Sequence, residues 1–211
     1  MSLTNPIAEY LPLEWAWKGI EIMVCKRFIP LLLLVAGTLA RPAPAAAQTT
    51  ELSGNGSVEY RLVHKFHKIA GVSKAMAVRG SVDASGLKDM ARAQVGTFDS
   101  SNTNRDAHMM EVVEGEKYPW ASVRAALPGF KLPTAAGTTK INVQASVELH
   151  GVALSHPIDL TLQTKDGVHF HVSFEFPESL TAHKIERPSL LFVAVDDLIT
   201  IVGEADVTAK P

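Results

Sequence analysis

Val58, Tyr60 and Leu62 alternate with Glu59 and Arg61, the period of two that sets one face of a β-strand against a core. A second β-rich stretch spans residues 75–84, where Met76, Val78 and Val82 oppose Arg79, Ser81 and Asp83, and Gly80 marks a bulge or bend. Further strands are predicted over 91–98 and 120–127. The cleanest alternation follows, with Ile141, Val143, Ala145, Val147 and Leu149 against Asn142, Gln144, Ser146 and Glu148. Ile158, Leu160 and Leu162 then lead through the Asp166-Gly167 turn into a partner strand at 168–176, which predicts a hairpin. Segments 190–195 and 198–208 flank Asp196-Asp197 and predict a closing hairpin. Residues 128–137 form a loop.

One segment breaks the pattern. Asn102 and Asn104 are good N-caps, and Ala107, Met109, Met110 and Val113 suit a short helix ended by Gly115. About eight strands, one short helix and no β–α alternation define an all-β, antiparallel sandwich or barrel, with the closed barrel preferred. Eight closed strands leave an interior that side chains fill or that holds one small ligand.

The start of the chain has a different composition. Lys26 and Arg27 precede an apolar run over 29–40, and a Pro/Ala-rich stretch ends in Ala45-Ala46-Ala47. This is the order of a secretory signal peptide cleaved after Ala47, and the run is short of the roughly 20 apolar residues that span a bilayer. Residues 1–47 are therefore expected to be an export signal and 48–211 a single domain in the periplasm. Glu9, Glu14 and Glu21 sit where such a signal is normally positive; a start at Met23 in place of Met1 removes the misfit.

The whole chain of 211 residues carries 20 Lys and Arg against 22 Asp and Glu, and removing residues 1–47 takes away four bases and three acids to leave 16 against 19. That slightly acidic balance, with scattered bases, excludes the phosphate-neutralising surface of a nucleic-acid binder. The single cysteine, Cys25, lies in the signal, so the exported domain has no disulfide, no thiol chemistry and no cysteine metal site.

Several segments then stand in a telling order: Val58-Glu59-Tyr60; His64 through Gly71-Val72-Ser73; Phe98-Asp99-Ser100-Ser101-Asn102; Asn104-Arg105-Asp106-Ala107-His108-Met109; Glu116-Lys117-Tyr118-Pro119; Leu149-His150-Gly151-Val152; Ser179-Leu180-Thr181-Ala182; and Ile185-Glu186-Arg187-Pro188. Over most of the exported domain the chain resembles the YceI-like family of periplasmic polyisoprenoid-binding proteins. It departs at Leu52, where a tryptophan often opens the domain, and at Ser155-His156-Pro157, where the family has Lys-Pro. The resemblance implies a lipocalin-like antiparallel barrel whose long apolar pocket takes a lipid tail, and it extends to homodimers.

A lipid tail needs a dry apolar tunnel and a polar group or two at the mouth. Candidates for the lining are Phe66, Val78, Phe98, Met109, Met110, Trp120, Leu160, Phe170, Phe174 and Phe192, each of which could equally be plain core. Arg105 and His108 share a helix face and could meet a head group; with Asp106 they could instead tie the helix to the barrel. His150 before Gly151 suits a turn.

The pairs His64/His67 and His169/His171 have spacing usable by zinc or copper and support an alternative reading as a histidine-based metal module. No Gly-x-Ser-x-Gly elbow, phosphate loop or dinucleotide glycine pattern occurs, and no serine is marked out to work with Asp106 and His108. The expectation is a lipid binder without cofactor and without catalysis.

Overall fold

The computed structural model describes residues 49–64, 67–190 and 193–211; the expected signal at 1–47 and the candidates Phe66 and Phe192 lie outside the described residues. The strands are β1 (Thr50–His64), β2 (His67–Asp83), β3 (Gly86–Gln94), β4 (Trp120–Pro128), β5 (Gly137–Leu149), β6 (Val152–Thr164), β7 (His169–Ser179), β8 (Ser189–Leu190), β9 (Val193–Ala194) and β10 (Leu198–Lys210). Eight of them close into an antiparallel barrel in the order β1-β10-β7-β6-β5-β4-β3-β2, while β8 and β9 pair only with each other. The all-β lipocalin-like barrel is thus the observed architecture.

Alternation explains the closure. On β5 the Val143 and Ala145 side chains are 1% exposed, and across the β5–β6 ladder Ile158 is 2% exposed. Closing the sheet removes both unpaired edges, the positions at which open sheets aggregate. The single α-helix among the described residues, α1 (Thr103–Val112), starts as expected, with the Asn102 side chain accepting from the Arg105 amide at 3.0 Å. The cap satisfies one of the free N–H groups of the first turn.

Three details differ from the sequence pattern. The strand expected at 91–98 begins at Gly86 and stops at Gln94, because Val95–Thr97 turns into a 3₁₀-helix that carries the chain off the barrel toward α1. No register shift falls at Gly80; the β1–β2 ladder shifts instead between Gly56 and Val58, where the one residue Ser57 of β1 faces Lys74 and Ala75 of β2. Segments 190–195 and 198–208 do not form a hairpin with each other. β10 takes both its partners from β7 and β1, and β9 turns back on β8. Asp197 fixes that junction: its carboxylate accepts from Ser179 Oγ at 2.7 Å and from the Thr181 amide at 2.9 Å.

The two ends of the barrel are built differently. One carries α1, the β5–β6 turn and the segment after β7; the other carries the outer ends of β1 and β10 and the turns after β2, β4 and β6. At the helix end the β5–β6 turn holds His150 and Gly151 at φ of 53° and 70°. Glycine accepts that conformation freely, and a side chain at 151 would also strike the Tyr118 ring.

Two seams are only partly zipped. The β6–β7 ladder runs from Leu160–Phe174 to Thr164–Phe170, and the β4–β5 ladder from Ser122–Glu148 to Ala125–Ala145. The β6–β7 ladder therefore stops short of the helix end, so side chains must close what backbone hydrogen bonds leave open.

Candidate functional site

A cavity of about 580 Å³ occupies the helix end of the barrel. Val58, Tyr60 and Leu62 of β1, Ile69 of β2, Phe174 and Phe176 of β7 and Ile201 of β10 supply its wall, and Met109, Val112 and Val113 its helical side. No α1 residue is buried; Met109, Val112 and Val113 are half-buried although their spacing gives one apolar face. An apolar helix face normally disappears into a core. Here it borders unfilled space of a size ordinary for ligand pockets.

Asn104, Arg105 and His108 also line this cavity. Arg105 is anchored by Nε donating to Ser100 Oγ at 2.8 Å and by Nη2 donating to the Ser100 carbonyl, while Nη1 makes no bond among the described residues. Asp106 accepts from the Ser100 amide at 3.1 Å and from the Ser100 hydroxyl. The cluster thus ties α1 to the strand-to-helix connection, the structural role weighed from the sequence, and also brings one face of the guanidinium to the cavity. Burial, reinforced by the charge of Asp106 against the opposing Arg105 and Ser100, pushes the nearby Tyr60 phenol above its ordinary value. His108 is exposed and contacts Glu111 at 3.4 Å; among the described residues it makes no pair with Asp106.

The sequence reading missed a further, buried polar group on this wall. Glu178 is 4% exposed and His183 is 0% exposed. His183 Nδ1 lies 3.2 Å and 3.0 Å from the carbonyls of Leu149 and Val152 in the β5–β6 turn, and its Nε2 lies 3.1 Å from Glu178 Oε1. Glu178 Oε2 lies 3.2 Å from His156 Nε2. These contacts between side chains have ion-pair distance without hydrogen-bond alignment. Burial alone would depress the His183 pKa; Glu178 and the two carbonyls outweigh it and raise the pKa above the ordinary value. The triad bridges the part of the β6–β7 seam that lacks a ladder. Its signal in the sequence was parity: Glu178 continues the inward series Phe170, Val172, Phe174 and Phe176, and His156 the series Ile158, Leu160 and Leu162.

Toward the other end lies a smaller cavity of about 70 Å³. Met76, Ala91, Val123 and Phe174 belong to the walls of both cavities. Phe174 lies across Gly203 of β10, where any side chain would strike the ring.

The sequence candidates are distributed accordingly. Phe98, Arg105, His108, Met109 and Phe174 line the large cavity, and Val78, Leu160, Phe170 and again Phe174 the small one. Met110 lines neither and packs beside Gly96 and Gly115. Trp120 is 44% exposed with Arg92 4.5 Å from its ring centroid; inward parity on β4 belongs to Ala121, Val123 and Ala125, which turns Trp120 to the outer face.

Each described histidine pair member near a carboxylate is engaged by it. His169 Nδ1 lies 2.7 Å from Asp166, whose carboxyl is held far below its usual range, first by the His169 amide and next by the His169 ring. His171 Nδ1 lies 2.9 Å from Asp206. Among the described residues no group of three or more His, Cys, Asp or Glu is arranged to hold a metal ion. His150 ties the β5–β6 turn to the His183 carbonyl at 3.1 Å and to Glu114 at 3.1 Å.

No protein-family model matches the chain, and none of the curated proteins matches its sequence. Solved structures do match. A polyisoprenoid binding domain from Saccharophagus degradans, implicated in plant cell wall breakdown, superposes with TM-score 0.64 at 13% identity, over 77% of this chain and 98% of that one. BcnA of Burkholderia cenocepacia gives TM-score 0.59 at 16% identity, over 72% and 95%. The YceI protein of Campylobacter jejuni gives 0.53 at 16% identity, over 70% and 88%. The chain therefore has the barrel fold of the YceI-like proteins.

Proposed function

We propose that the protein binds and sequesters a long apolar lipid, of polyisoprenoid or fatty-acyl type, inside its barrel in the periplasm, as carrier, store or scavenger. The observation that carries this reading is the cavity of about 580 Å³ whose walls are mostly apolar and include Val58, Tyr60, Leu62, Met109, Val112 and Phe174, apolar or aromatic side chains that remain only half-buried. Each methylene moved from water into such a site contributes about 0.8 kcal/mol. A well-packed interior has no reason to leave that surface uncovered. Arg105 serves the polar end: anchored on Ser100, its free Nη1 can meet an anionic or strongly accepting head group at the rim beside His108. The fold shared with a polyisoprenoid binding domain supports the ligand class, and the order of charged, apolar and small residues over 23–47 supports export. The role is binding, without a catalytic step.

The test is to express the whole chain, recover it from the periplasm, and record its mass under native conditions before and after organic extraction. The expected result is a processed chain carrying one apolar adduct that extraction removes and lipid analysis identifies. A protein that arrives empty, and takes up neither prenyl nor acyl lipid on incubation, overturns the reading.

A further inference from the structure

Asp89 is the one polar side chain in the wall of the smaller cavity; every other described residue that lines it is apolar, among them Leu52, Val78, Leu87, Phe130 and Phe170. The residue has inward parity on β3 with Leu87, Ala91 and Ala93. Its neighbours across both ladders carry no charge, being Gly80 on β2 and Ala125 on β4, and Leu52 of β1 faces Gly80 in turn. Among the described residues no Lys, Arg or His lies within ion-pair distance of it, and the Ala125 amide is the only hydrogen-bonding group that acts on its carboxyl. Burial outweighs that amide and pushes the Asp89 pKa up to about 6.

β2 also runs close to β3 at this position. A Cβ at Gly80 would lie 2.7 Å from the Lys88 carbonyl oxygen and 2.8 Å from the Cβ of Asp89, so the two strands approach too closely here for any side chain at position 80. Asp89 is half-buried among apolar side chains; a carboxyl in such surroundings is costly to the fold, and one whose hydrogen bonding is limited to a single backbone amide calls for an explanation. Leucine or valine at this inward position would serve packing alone better.

We propose that Asp89 is a recognition site for a hydrogen-bond donor, a hydroxyl or ammonium group carried by an otherwise apolar ligand that reaches past Met76 and Phe174 into the smaller cavity. This rests on the reading of the two cavities as a lipid site and adds a demand on the ligand: an alkyl or prenyl chain without a donor leaves the carboxyl with the Ala125 amide alone. Charge-assisted hydrogen bonds are the strong ones in an apolar surrounding, and a site that keeps such an acceptor rejects molecules lacking the donor.

The experiment is displacement of the apolar fluorophore N-phenyl-1-naphthylamine from the exported, delipidated protein by dodecan-1-ol, dodecylamine and 1-methoxydodecane. The alcohol and the amine are expected to displace it at concentrations about tenfold or more below the ether. In Asp89→Leu, which exchanges the carboxyl for an apolar side chain of similar size, the three should fall within about twofold of one another. Asp89→Asn keeps an acceptor oxygen and is expected to retain the preference for the alcohol while losing that for the amine, which separates the two donor types. Equal displacement by all three in the unaltered protein, or an unchanged preference in Asp89→Leu, overturns the assignment and leaves the lipid reading intact. A protein that binds neither fluorophore nor any of the three overturns both.

Discussion

The two ends of this barrel use the same alternating strands to opposite effect. Toward the strand termini Leu52, Val78, Leu87, Leu162, Phe170 and Val207 interlock and leave only a small space around Asp89. At the helix end Tyr60, Leu62, Val112 and Val113 pack partly against Leu180, Ile185, Val195 and Ile199, and the large cavity remains. A closed barrel of eight strands can be filled by side chains or can hold a guest. Finding both in one molecule shows that closure does not decide which; the covering segments do. Where strands alone face one another, side chains meet. Where α1 and the segment after β7 stand off the barrel, they do not.

Truncation is the sharpest way to break that comparison, and it has the largest expected effect. Phe170→Ala removes a ring that is 3% exposed from a site with little freedom to collapse, and should cost about 3–5 kcal/mol. Met109→Ala on the cavity wall removes contacts already incomplete on one side, and should cost less than about 1 kcal/mol while weakening lipid uptake. Urea unfolding of both variants in the lipid-free state checks the contrast; equal losses would mean that the helix end is as tightly packed as the other.

The next effect is a dependence on pH that separates Asp89 at the packed end from His183 at the helix end. Asp89 has a folded pKa of about 6 against about 3.9 in an unfolded chain, so the folded state holds its proton more tightly. Stability is therefore highest when the group is protonated in both states, and the penalty grows as pH rises from about 4 and is complete above about 6. That shift amounts to about 3 kcal/mol. His183 at the helix end also has a raised pKa; its contribution is present below the ordinary histidine value and is lost as pH rises through the folded pKa. Comparing Asp89→Asn with the unaltered protein cancels the histidine. The variant should gain about 3 kcal/mol relative to the parent between pH 4 and pH 7.5 in chemical unfolding, and a flat difference would remove Asp89 from the account of the packed end.

The sequence carried the barrel because its strands alternate cleanly where one face is buried. Residues 141–149 and 158–162 gave parity directly, and Asn102 marked the helix start by the only chemistry that caps it. The failures are local. Gly80 reads as a bulge or bend because glycine in a strand often is one, yet here it stands in regular register where β2 runs close to the backbone of β3. The hairpin expected around Asp196-Asp197 failed because pairing partners far apart in sequence leave no local mark. Neither Asp89 nor Glu178 stands in a motif and neither was among the sequence candidates, although parity with their apolar neighbours puts both on the inner face. A charge that falls on the apolar phase of a strand is the signal to follow. Of the candidate site, the part carried by the helix motif was legible. The part built by the segment after β7 depends on tertiary docking of His183, which no spacing shows.

The smallest effect lies on the outer surface and tests parity itself. Trp120 opens β4 opposite Gln94, yet its ring stands outside under the Arg92 guanidinium. A cation–π contact that exposed is worth about 0.5–1 kcal/mol. Trp120→Ala should therefore lower stability by no more than that and leave lipid uptake unchanged. Its inward neighbour Val123, which borders both cavities, gives the contrasting result: Val123→Asp should abolish uptake of a long chain by placing a charge where the tail must pass. If Trp120→Ala also abolished uptake, the ligand would have to reach the barrel's outer face beside β3, and the interior cavity would not be where the chain resides.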